Sequence, residues 1–127
     1  MHEGVFTIDN SGTITTVNPS AVKILELDKA DILNQKYSEV FIRYPQNDDF
    51  NQTILDAVYK SSMSHHKICS YYTGQKMKYL FVTTSFLKIN NANEIGVSVV
   101  FSDITELQEQ RNAVVDMKIK WSGILRT

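Results

Sequence analysis

The chain opens on a two-residue rhythm. From Gly4 to Asp9, Phe6 and Ile8 alternate with Val5, Thr7 and Asp9, the pattern of a strand with one buried face. Asp9-Asn10-Ser11-Gly12 consists of turn formers, and Thr13-Ile14-Thr15-Thr16-Val17 resumes the strand pattern, which predicts a hairpin. The rhythm then changes. Asn18-Pro19 reads as a helix start, with Asn as N-cap and Pro at the first helical position. Ala21, Ile24, Leu25 and Leu27 fall mostly on one helical face. Residues 28–46 read as short helical turns and loop closed by Tyr44-Pro45, and from Asp48 to Ser61 the apolar positions Phe50, Ile54, Leu55, Ala57 and Val58 recur at helical spacing.

Three strands follow. His65 to Tyr72 and Met77 to Ile89 are joined around Thr73-Gly74, and Asn90-Asn91-Ala92-Asn93 turns the chain into Ile95 to Phe101. Connections this short force antiparallel pairing, because parallel strands need crossovers of about a dozen residues. Two strands, several helices, three strands and a terminal helix make an α+β domain: a five-stranded antiparallel sheet with helices on one face.

The last strand runs into Asp103-Ile104-Thr105-Glu106 and at once into a charged helix. Thr105 is placed to be the N-cap of that helix, with Gln108 completing a capping box. Beyond it, Leu107, Val114 and Trp121 share one heptad position, and Gln110, Met117 and Ile124 share another. That is the a/d register of a coiled coil, which predicts a parallel homodimer through Leu107, Val114, Met117, Trp121 and Ile124. The rival is a helix folded back on its own sheet, and Ser122-Gly123 could interrupt the coil or hinge into a following domain.

Composition narrows the functional classes. The chain has 127 residues, 43% of them hydrophobic, enough for one domain with one core. A net charge of −1 offers no electrostatic reason for nucleic acid or an anionic membrane as direct partner. The single cysteine, Cys69, excludes an internal disulfide and fits a cytoplasmic protein. Both ends read as cuts through a longer protein. No nucleophile–base arrangement, phosphate loop or zinc spacing appears, and the Asp48-Asp49 pair suits a helix N-terminus better than acid–base work, so the domain is not expected to be an enzyme.

Gly4 to Asp9 followed by Gly12, Ile14 and Asn18, and Gly96 through Glu106 with its Asp-Ile-Thr exit, resemble the PAS domain family from Gly4 to about Gln108. The resemblance implies a sensory module over residues 1–106 and a linker helix over 107–127 leading to an output domain. That output would be a histidine kinase, a nucleotide cyclase, a diguanylate cyclase or a transcriptional activator. It also implies a pocket between the inner sheet face and the helix before the third strand. Matching registers by distance to Asp103 assigns Leu80, Val82, Thr84, Val97, Val99 and Phe101 to the sheet side, and Phe50, Ile54 and Val58 to the helix side. Most of these would pack together equally well with no ligand, but the Thr84 hydroxyl needs a partner among apolar neighbours. Asp103, Ile104 and Thr105 would relay the signal. The second functional class is a ligand-free module for dimerisation or protein interaction.

Known cofactors fit poorly. Flavin-binding members carry an Asn-Cys-Arg-Phe-Leu-Gln stretch that this chain lacks. Haem-binding members usually supply a His from the helix that here spans Asp48 to Ser61, where none occurs. His65 and His66, adjacent in an expected strand, would point to opposite faces and could not share one metal. A covalent chromophore on Cys69 competes with the reading of a small buried filler. The expectation is no metal, haem or flavin, with an unidentified small ligand left open.

The paired substitution Val114→Asp with Ile124→Asp is expected to give a folded monomer with unchanged sheet signature in circular dichroism. If sedimentation shows that this variant stays dimeric, the interface lies elsewhere.

Overall fold

Asn18 sets the first corner of the fold. The computed structural model describes residues 3–41, 44–89 and 94–110. Ahead of helix α1 (Pro19–Leu25), the extended backbone of Asn18 lets its Oδ1 accept the N–H of Ala21 at 2.8 Å and that of Val5 at 2.9 Å. Its Nδ2 donates to the Glu3 carbonyl at 3.0 Å. One amide therefore caps α1 and clamps it to strand β1 (Gly4–Ile8). Gly4 makes the close approach possible, since a Cβ there would lie 2.6 Å from the Phe101 ring and 3.0 Å from the Ala21 Cα. The helix ends at Glu26, in the left-handed region at φ 55°.

The first turn is held by Asp9. Its Oδ1 accepts the Ser11 hydroxyl at 2.6 Å and the N–H groups of Ser11 and Thr13 at 2.9 and 3.0 Å, returning the chain as β2 (Ile14–Val17). Partial burial pushes the Asp9 carboxyl up, but these hydrogen bonds, the Ser11 hydroxyl first, and nearby Lys36 bring it below its ordinary range.

After α2 (Lys29–Ile32), α3 (Tyr37–Phe41), a 3-10 turn (Pro45–Asn47) and α4 (Asp48–Tyr59) come β3 (Lys67–Tyr72), β4 (Met77–Ile89) and β5 (Glu94–Asp103). The sheet runs β2-β1-β5-β4-β3 with every neighbouring pair antiparallel. The β4–β5 register sets Val82 opposite Phe101, Thr84 opposite Val99 and Phe86 opposite Val97. Period-two alternation then turns one set of side chains toward the helices: Phe6, Ile8, Leu80, Val82, Val99 and Phe101 are all fully buried. Phe50 of α4 meets them, its ring centroid 5.4 Å from Tyr71 and 6.3 Å from Phe101. Phe6 bridges to Phe41 at 5.9 Å and to Phe101 at 5.8 Å.

Element boundaries shift modestly from the sequence reading. β3 begins at Lys67 rather than His65, and α4 stops at Tyr59 rather than Ser61. β5 is longer than read, reaching Asp103. The turn expected at Asn90 to Asn93 lies outside the described residues, among which no helix is long and apolar enough to cross a membrane.

Because Asn18 serves both α1 and β1, Asn18→Ala is expected to cost about 1–2 kcal/mol, the upper part of the range for a lost N-cap. Asn18→Asp, which keeps the acceptor, should recover most of it. Urea denaturation of the three chains checks the ordering, and an Ala variant as stable as the parent would contradict it.

Candidate functional site

The residues expected to line a pocket come together on the inner face, and they come together tightly. Phe50, Ile54, Leu80, Val82, Val99 and Phe101 have no exposed surface, and Val97 and Thr84 retain only 4% and 3%. Val58 stands apart, only partly buried at the margin of this cluster. The Thr84 hydroxyl finds its partner in the backbone: its oxygen accepts the Ser64 N–H at 2.8 Å. Beside the cluster, Leu27, Val40, Phe41, Tyr44, Asn47, Tyr71 and Thr73 border a small, partly open cavity of about 40 Å³. A much larger hollow of about 610 Å³, lined by Asp48, Asp49, Asn51, Gln52 and Leu55, is an open groove outside α4.

Polar groups inside this region are paired. The Tyr37 hydroxyl, buried with its ring, donates to Asn51 Oδ1 at 2.9 Å, and Asn51 Nδ2 donates to the Phe41 carbonyl at 3.2 Å. Burial, with smaller contributions from Tyr71 and Cys69, holds the Tyr37 phenol well above its ordinary range, so it remains a neutral donor. The pairing of Asn47 with both backbone groups of Tyr72, at 2.6 and 3.2 Å, ties the 3-10 turn to β3.

The Cys69 thiol is not poised for chemistry. Cys69 is fully buried, and burial pushes its thiol up despite a contact with Thr53 Oγ1 at 3.7 Å, so the nucleophilic thiolate is disfavoured. The two histidines depart from expectation. His65 and His66 precede β3, and the left-handed backbone of His66, at φ 54°, breaks strand alternation. Their rings therefore stack, with centroids 3.8 Å apart, instead of pointing to opposite faces. Among the described residues, no group of three or more His, Cys, Asp or Glu side chains could hold a metal ion.

The exit is built differently from a simple cap. The β4–β5 ladder continues past Asp103, with the Ile104 N–H donating to the Tyr79 carbonyl at 2.9 Å. The Thr105 hydroxyl then takes the place of the next carbonyl and accepts the Tyr79 N–H at 3.0 Å. Asp103 Oδ1 accepts the Thr105 N–H at 3.0 Å and also the Thr105 hydroxyl proton. Residues 105–110 are helical, and the Gln108 N–H donates to the Ile104 carbonyl at 2.9 Å. Ile104 thus occupies the cap position. The capping box expected of Thr105 and Gln108 does not form, because the Thr105 hydroxyl is committed to β4 and Asp103. Leu107 is exposed, and Val114, Met117, Trp121 and Ile124 lie outside the described residues.

Two participants at this junction escaped the sequence reading. Tyr79 acts through its backbone, which no residue type announces. Lys78 reads as a solvent-facing charge, yet it is 7% exposed on the inner face and donates to the Ile24 carbonyl at 2.7 Å. Its parity with Leu80, Val82 and Thr84 was the available signal.

With this geometry in view, comparisons with known proteins are consistent. The family model described as PAS domain matches residues 2–106. The chain is 31% identical over 107 residues to the signal transduction histidine-protein kinase AtoS of Escherichia coli (strain K12), covering 84% of this chain and 17% of that kinase. The chain thus spans less than a fifth of this curated relative. Among solved structures, the PAS domain of the fruit-fly ELK potassium channel superposes with a TM-score of 0.66 at 15% identity, covering 82% of this chain and 88% of that one. A sensory box sensor histidine kinase from Vibrio cholerae gives 0.56 at 16% identity and 83% of each chain, a likeness of fold alone. The family match over most of the chain, with the sheet order and Asp-Ile-Thr exit described above, establishes that this chain belongs to the PAS domain family.

Proposed function

We propose that this domain is the sensory module of a signalling protein and passes its state through the outgoing helix to an output domain, a histidine kinase. Residues 1–106 form the sensor, and 107–127 form the linker helix, pairing with a second copy as a parallel coiled coil in the cytoplasm. The observation that carries this reading is the exit junction. Tyr79 of β4 and Asp103 of β5 both hold Thr105, which gives the sheet two direct hydrogen bonds to the first turn of the helix. Similarity to AtoS over 107 residues favours a kinase over a cyclase or a transcriptional activator as output.

The dense inner face supports a second reading, in which the domain binds no ligand and serves as an interaction or dimerisation module. Phe50, Ile54, Leu80, Val82, Val99 and Phe101 already fill the space between α4 and the sheet, and a ligand would have to displace one of the rings. Native mass spectrometry of freshly purified protein separates the two readings. A retained small molecule supports sensing by ligand, and a bare chain supports the module.

The relay itself is tested by Thr105→Val in the chain carrying its output domain. The substitution removes the hydroxyl while keeping the branched shape. It is expected to cost the sensor about 0.5–1.5 kcal/mol and to change the output domain's autophosphorylation. Unchanged autophosphorylation alongside that stability loss would leave the junction a structural feature only.

A further inference from the structure

We infer that Lys78 is the positioning residue that links the end of α1 to the exit junction, through one ammonium group shared between two carboxylates. The inference rests on the relay role proposed for Asp103 and Thr105, and names where that junction receives its input.

The geometry is specific. Lys78 Nζ donates to the Ile24 carbonyl at 2.7 Å, in the last turn of α1, where exposed carbonyls favour a cation. Tyr71, the cross-strand partner of Lys78, donates its hydroxyl to the next carbonyl, Leu25, at 3.0 Å. The end of α1 is therefore held by two donors from adjacent strands. On one side of the ammonium stands Glu26 Oε2 at 3.1 Å, with Lys76 at 3.7 Å as its second and more exposed partner. On the other side stands Asp103 Oδ2 at 3.9 Å. The opposite oxygen of that same carboxylate, Oδ1, holds the Thr105 N–H.

Two carboxylates thus compete for one cation. The Lys78 side chain is only 9% exposed, so it cannot relax into water when one partner leaves, and the loss of Glu26 drives it toward Asp103. Glu26 is positioned to move. It sits at the left-handed cap of α1, and the next residue, Leu27, forms one wall of the cavity of about 40 Å³ beside Tyr71. A displacement of that wall reaches Glu26 through one peptide unit. When Lys78 turns to Asp103, both oxygens of the carboxylate become fixed and the grip on Thr105 tightens. When Glu26 holds Lys78 closely, the exit is looser.

The test is amide hydrogen exchange at Thr105 in the 127-residue chain, read for the parent and for Glu26→Gln, which alters an exposed side chain with no contact to the exit. Removal of the competing carboxylate should slow exchange of the Thr105 N–H by about 3-fold, the size expected for a partly exposed ion pair. The same substitution made in a Lys78→Met background should have no effect on Thr105. A merely structural role for Lys78 would not produce that dependence. If Lys78→Met does not fold, Lys78→Gln, which can still donate to the Ile24 carbonyl, supplies the uncharged background. Thr105 exchange that ignores Glu26→Gln, or that changes equally with and without the Lys78 charge, would overturn the inference. Because the readout is local exchange rather than kinase output, the inference can fail while the relay through Thr105 stands. The relay can likewise fail at autophosphorylation while this coupling holds.

Discussion

The N–H of Tyr79 has no carbonyl opposite it at the end of the β4–β5 ladder, and the Thr105 hydroxyl fills that place. Much of the structure depends on this substitution of side chain for backbone. The ladder pairs Leu80 with Asp103, and Tyr79 then uses its carbonyl for Ile104 and its amide for Thr105. A slip of one residue would break both bonds and rotate Leu80, Val82 and Thr84 out of the core. The junction thus fixes the register from one end, while inner-face packing fixes it along the length.

These two constraints differ in strength, and the difference suits a relay. Truncating a fully buried aromatic such as Phe50 to Ala costs about 3–5 kcal/mol, because neighbouring rings cannot close the space. A partly exposed hydrogen bond contributes about 0.5–1.5 kcal/mol. The core therefore holds the fold, and the exit bonds are weak enough to be made and broken without unfolding it. Lys78 lies between the two regimes, buried like the core yet paired with exposed carboxylates.

What the sequence made legible was whatever is decided locally or by period. The hairpin follows from Asp9 and Gly12, the first helix from Asn18-Pro19, and the inner face of β4 from alternation. Contacts between distant residues were not legible. Nothing near Thr84 announces that Ser64, twenty positions earlier, supplies its partner. The stacking of His65 on His66 turns on one left-handed residue, and nothing in the local pattern marks which residue leaves the extended region. At the exit, Asp103 and Thr105 were recognised by type. The N-cap role expected of Thr105 was misassigned because a hydroxyl near a helix start can serve the helix or the preceding ladder, and only the register decides which. Lys78 was passed over because charge normally outweighs parity as a guide to burial.

The exit junction depends first on the Thr105 hydroxyl closing the ladder. Amide hydrogen exchange at Tyr79, compared between the parent and Thr105→Val, tests this most directly. The closed ladder predicts a Tyr79 N–H protected like neighbouring β4 amides in the parent, and exchanging about 10-fold faster in the variant while those neighbours are unchanged. A Tyr79 amide that exchanges at the same rate in both chains would contradict it.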